Sequence, residues 1–194
     1  LGYLAAWDFT ELRTSVAALI FELWYEKFEY NTFADEFGPF GLFPFPNGII
    51  PLWNMTQTYP ANPFAVLFFD DKTTPSPGPG QPGWETMMDI INASLYDAIQ
   101  FLTIRLGPNM ATWQYGALHV VQFDHPMGEV VPYFSVPPMP PYGPGPVPCD
   151  GGPYTVDPGS HFHKLIVAQS YLYVGSGASY RGIYECKDGW DTSL

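Results

Sequence analysis

Between Leu12 and Phe28, apolar residues recur every three or four positions at Leu12, Val16, Leu19, Ile20, Leu23 and Trp24. This spacing predicts an amphipathic helix with one wide apolar face. Asp8 or Thr10 stands where a cap is needed, Glu11 in the first turn complements the helix dipole, and the far end is open beyond Glu26. A second run of the same period covers Trp84 to Leu106, with Met87, Met88, Ile91, Leu95, Ile99 and Leu102 on one side. Gly107 followed by Pro108 stops it.

Between these helices the period disappears. From Gly38 to Pro63 the chain is crowded with Pro, Gly and aromatics, which predicts an ordered excursion without helix or central strand. The apolar run Ala65 to Phe69 ends at Asp70-Asp71, and Thr74 to Gly83 is a Pro/Gly loop. After the second helix, Asn109 to Tyr115 reads as a further helical turn and Leu118 to Phe123 as a strand. The prolines between Val136 and Pro148 favour an extended, polyproline-like path. A short strand is expected at Tyr154 to Val156. Two longer ones, Lys164 to Val174 and Ser179 to Cys186, are expected to form a hairpin about Gly175-Ser176-Gly177. No repeat or internal boundary divides residues 1–194, and the fold class expected is α+β.

At 194 residues the chain can bury one sizeable core. Its 46% hydrophobic and 18% aromatic content excludes general disorder. Nineteen acidic residues against 7 Lys plus Arg give a formal charge of −12, a surface that nucleic acid and anionic membranes repel. The apolar run from Ser15 to Trp24 is broken by Glu22 and too short to cross a bilayer. Cys149 and Cys186 are the two cysteines. A disulfide, two thiols or a shared metal all satisfy that arithmetic. A disulfide in an exported protein, periplasmic or extracellular, is the favoured arrangement, although no signal peptide is visible.

Several motifs occur in a fixed order. Leu4-x-x-Trp7-Asp8 leads into the Ser15-Val16-Ala17-Ala18 helix with its later Trp24, and Phe69-Asp70-Asp71 precedes the second long helix. Trp113-Gln114-Tyr115-Gly116 continues to Leu118-His119 and Phe123-x-His125-Pro126. Gly151-Gly152-x-x-Thr155-Val156 follows, then Gly177-Ala178-Ser179-Tyr180-Arg181 with Glu185. In this order the chain resembles the late portion of the nucleophile-bearing chain of the penicillin amidases, which are N-terminal nucleophile hydrolases.

That resemblance implies amide hydrolysis within an αββα core. The nucleophile would be an amino-terminal Ser, less often Cys, whose own α-amine is the base. Such an amine has a pKa near 8 and accepts the hydroxyl proton around neutrality, while backbone amides and an Asn hold the oxyanion. In the family these groups, and the ligands of a structural calcium, lie upstream of the position matching Leu1. None of the primary catalytic residues is therefore expected in this chain, and no cofactor is expected on it. The implied partners are the remainder of the acylase and a small-molecule amide substrate, and the chain alone should be inactive. Glu185 is the one supporting carboxylate proposed, to orient a histidine near the nucleophile; an ion pair with Arg181 competes as its role.

Other candidates read more plainly. His161 and His163, with His119 or His125, could gather zinc, but solvated or hydrogen-bonded imidazoles serve better, and buried structural bonding is expected at His119 and His125. Ser179 lacks the strand-turn-helix elbow of an ordinary serine hydrolase. Asp70-Asp71 and Asp150 lack the closely spaced oxygens of a calcium loop. Asn54-Met55-Thr56 and Asn92-Ala93-Ser94 match the glycosylation sequon, the second on a predicted helix. The aromatics from Phe37 to Trp53 suit core packing or an acyl pocket. The alternative function is a non-catalytic secreted module binding sugars or polymers through exposed aromatics.

Overall fold

A computed structural model describes residues 2–37, 49–70, 83–123, 125–128, 130–138, 140–153, 155–161 and 172–177. A short helix, α1 (Gly2–Ala5), precedes the first long one, α2 (Val16–Phe37). Asp8 and Thr10 do not cap α2. The Asp8 carboxylate accepts from the Thr10 amide and hydroxyl at 3.0 and 2.6 Å and so closes its own turn. The Ser15 hydroxyl accepts from the Ala18 amide at 3.1 Å instead, and the helix starts there. Leu12 consequently lies outside the helix, exposed, while Ala18, Leu19 and Leu23 are buried. At 22 residues α2 runs past Phe28, because Phe33 and Phe37 continue the apolar row and pack on Phe68.

Helix α5 (Met87–Leu106) begins later than Trp84. Thr86 and Asp89 form a capping box: the Asp89 amide donates to the Thr86 hydroxyl oxygen, and the Asp89 carboxylate accepts from the Thr86 amide at 2.8 Å. Its core row is Ile90, Ser94, Ala98 and Leu102, with Met87, Ile91, Leu95 and Ile99 partly buried beside it. Met88 is exposed. The small Ser94 and Ala98 let α2 approach closely. Trp24 Nε1 donates to the Ile91 carbonyl at 3.2 Å, and Asn31 Nδ2 donates to Ser94 Oγ and Asp97 Oδ2, both at 3.1 Å.

The region expected to exclude helix contains α3 (Ile49–Thr58), followed by α4 (Pro63–Phe68). The prolines stand where helices tolerate them: Pro51 falls in the first turn of α3 and Pro63 at the first position of α4, behind an Asn62 cap. These helices bury Leu52, Met55, Ala65 and Phe69 against Phe28, Phe33 and Ile90, forming a second cluster beside the α2–α5 core.

The strands are short: β1 (His119–Val121), β2 (Val147–Pro148), β3 (Gly159–His161) and β4 (Leu172–Gly177). They join in the order β2-β1-β4-β3, with β1 and β4 parallel and the outer pairs antiparallel. The architecture is α+β. The glycine turn expected at Gly175-Ser176-Gly177 is strand instead, with Gly177 opposite Gly159 and Ser176 opposite Ser160. Gly159 itself is closely packed, since a Cβ there would stand 3.0 Å from the Asp150 carbonyl and 3.1 Å from His119 Cε1. Of the expected hairpin, residues 164–171 and 178–186 lie outside the described residues. Of the strand expected at Tyr154 to Val156, Thr155 and Val156 fall in bends before β3 and Tyr154 lies outside the described residues; the Thr155 hydroxyl binds the chain locally at Gly152 and Asp157. The proline-rich segment delivers Phe123–Val136 bridging and the edge strand β2, where a missing proline N–H costs no ladder bond.

Candidate functional site

Three motifs distant in sequence meet at one join. After α5, Asn109 caps a 3-10 turn, Met110–Thr112, and a second turn, Tyr115–Ala117, leads directly into β1. Trp113 is fully buried, and its indole N–H donates to the Gly107 carbonyl at 2.9 Å. The Tyr115 and Gly116 amides donate to the Ser15 and Arg13 carbonyls at 3.1 and 2.7 Å, fastening the turn to the start of α2. Gly116 is required sterically: a Cβ would stand 2.7 Å from Pro148 Cβ and 2.9 Å from Arg13 Cβ.

The paired glycines close the join from the other side. Gly151, at φ 81°, donates its amide to the Glu11 carbonyl at 2.8 Å, and a Cβ on Gly152 would run into the Glu11 carboxylate. Asp150 Oδ1 accepts from the Arg13 amide at 2.6 Å. That carboxylate is occupied by backbone, and among the described residues no three His, Cys, Asp or Glu side chains converge to hold a metal.

His119 sits at the centre, fully buried. Its ring stacks on Tyr115 at 4.3 Å between centroids and 5° between planes. Nδ1 lies 2.9 Å from the Cys149 carbonyl and Nε2 2.8 Å from the Gly159 carbonyl. Both ring nitrogens are thus taken by backbone, which removes His119 from the zinc grouping. His125 differs from expectation in being exposed: its Nδ1 accepts the Met127 amide at 3.1 Å, and its ring meets Phe134 edge-on at 5.1 Å. A turn whose own backbone is satisfied by a side chain has no need of burial.

Burial pushes the Tyr115 hydroxyl far above the usual tyrosine range, reinforced by Glu22, then Glu11, Cys149 and Glu26. On α2 the acidic residues Glu22, Glu26 and Glu29 are all buried, a feature the apolar-face reading missed. Its signal was their spacing of four and three, which places them on one helix face. Exposed Asp8 is held below the usual carboxylate range by the Thr10 hydroxyl and amide, and Asp89 by the hydroxyl and amide of Thr86.

The hydroxyl bonds serve structure. Thr10 donates to Asp8, Thr86 to Asp89, Thr32 to the Phe28 carbonyl and Ser94 to the Ile90 carbonyl, so none of these is poised on an imidazole as an activated nucleophile would be. An open groove runs along Trp7, Thr10, Ser15, Val16 and Met110, where the Thr10 hydroxyl donates to Asp8 and the Ser15 hydroxyl accepts from the Ala18 amide. Half-buried Cys149 places Sγ 3.2 Å from the Asp150 carbonyl. Glu185, Arg181, Ser179, Cys186, His163 and Asp71 lie outside the described residues, as does the His161 side chain.

The family model for penicillin amidase matches residues 1–194, the whole chain. The chain belongs to the penicillin amidase family. No curated protein and no solved structure gives a match. This penicillin amidase chain accordingly carries an amidohydrolase-type acylase domain. In it the Trp113–His119 motif, the start of α2 and the Gly151–Gly152 loop build the seam between the helices and the sheet. That supports the acylase reading over the sugar-binding module, although Trp53, Tyr133 and Tyr142 are exposed.

Proposed function

We propose that this chain is the supporting portion of an acylase that hydrolyses the amide between an acyl group and an amine, with the nucleophile supplied by sequence outside residues 1–194. The family match over the whole chain carries the reading. The committed hydroxyls of Thr10, Thr32, Thr86 and Ser94 support placing the nucleophile elsewhere. The two long helices and the sheet then flank an αββα core completed by the remainder of the enzyme. Glu185 is the carboxylate proposed to orient a histidine near that nucleophile. The ligands of the family's structural calcium are proposed to lie on sequence outside residues 1–194, and no step is assigned to it on this chain. Export to the periplasm or the outside is proposed with it, on the acidity and the Cys149 and Cys186 pair.

The test is an assay of the full-length protein containing this chain against chromogenic amides spanning aromatic and aliphatic acyl groups. Hydrolysis is expected, abolished when the amino-terminal nucleophile is replaced, with none from the 194-residue chain alone. Turnover by the isolated chain, or no turnover of any amide by the full protein, would overturn the assignment. Glu185→Gln should lower kcat and shift its pH profile while leaving folding intact; an unchanged profile would limit Glu185 to a structural pairing.

A further inference from the structure

The acylase reading leaves His119 without a task. The ring is fully buried, and each of its nitrogens faces a backbone carbonyl oxygen, Cys149 on one side and Gly159 on the other. A carbonyl only accepts. A neutral imidazole carries one N–H and would turn its bare nitrogen onto the second carbonyl, lone pair against lone pair. With a proton on both nitrogens, both contacts become hydrogen bonds, and a charged donor makes each of them stronger.

The surroundings suit that charge. Tyr115, stacked on the ring, interacts with Glu22 and Glu26 from α2 and with Glu11 from the loop before it. From the sheet side the segment after β2 brings Cys149 and Asp150, the latter on the Arg13 amide. The bend before β3 brings Asp157, whose carbonyl lies against Gly151. On β4, Leu172 pairs with His119 and Tyr173 with Val120 along the backbone. Carboxylates outnumber the cation Arg13 among these groups.

We propose that His119 is held as an imidazolium that clasps the Cys149 and Gly159 segments to β1, a pH-sensitive lock on the seam between helices and sheet. A group that gains acceptors for its charged form binds its proton more tightly folded than unfolded, where histidine titrates near 6.5. Its contribution to stability is complete below that unfolded value and disappears as pH rises through the folded one. Acid strengthens the seam, and alkali leaves one of the two carbonyls without its donor.

The experiment is a nitrogen-15 histidine titration of the full-length protein containing this chain, from about pH 5 to about 9, around the ordinary value near 6.5. The His119 signals are identified by their loss in His119→Asn or, should that variant not fold, by the ring-current change in Tyr115→Leu. Both nitrogens should stay protonated at neutral pH, and the amides of residues 159–161 should exchange with solvent faster as the proton leaves. Thermal stability of the wild type should fall over the same interval, a fall absent from His119→Asn. A single neutral tautomer at or below pH 6.5, or exchange at those amides indifferent to the His119 titration, would overturn the lock.

Discussion

At Gly116 a hydrogen occupies the only space left between Pro148 and Arg13. Gly116→Ala forces one of those backbones to move and should cost about 1–3 kcal/mol, as overpacking in a dense interior does. Chemical denaturation of the variant measures it. Trp113→Ala should cost more, about 3–5 kcal/mol, because a fully buried indole leaves a cavity and the Gly107 carbonyl loses its donor. Both residues stood out in the sequence as parts of one motif. Their reasons did not, because Pro148 and Arg13 are brought to Gly116 by chain running far before and after it. Buried Glu22, Glu26 and Glu29 were missed on the same ground: a carboxylate on a helix reads as solvated until the tertiary structure shows what covers it.

At the scale of the element, α5 has the most explicit punctuation, a Thr86–Asp89 box at one end and Gly107 at φ 89° at the other. Thr86→Ala should cost about 1 kcal/mol, read as a lower midpoint in thermal unfolding. Asp89 adds a pH dependence of known sign. Its folded carboxyl is held below the usual range by Thr86, so its contribution is present above the unfolded value near 3.9 and is lost as pH falls through the folded one. Asp89→Asn should flatten that acid limb, a small effect at so exposed a site. The two long helices were legible because their apolar period spans many turns. Helices α3 and α4 were not, since proline content argued against helix while only the positions of Pro51 and Pro63 allowed it. The glycines of β4 misled in the opposite direction: Gly175 and Gly177 read as a turn in the sequence, and only the pairing with β3 across the sheet makes that segment strand.

For the whole molecule, apolar side chains remain uncovered: on α5 alone Met88, Tyr96 and Ile104 are 54, 65 and 84% exposed. Produced by itself, the chain should associate with itself and bind a hydrophobic dye. Replacing Met88 and Ile104 with Lys and Glu should reduce that association in size-exclusion chromatography without loss of helical signal. An isolated wild-type chain that stays monomeric and binds no dye would contradict the expectation. The sequence by itself determined the α+β class, the two principal helices, and the family, through motifs whose order survives along the chain. These are properties of local period, composition and order, readable without knowing what touches what. Only the tertiary structure decided that the Trp113–His119 motif, the start of α2 and the Gly151–Gly152 loop form one seam, and that His119 stands between two carbonyls at its centre. Those facts depend on contacts between residues far apart in the chain, where close packing selects glycine and carbonyl geometry selects the protonated ring.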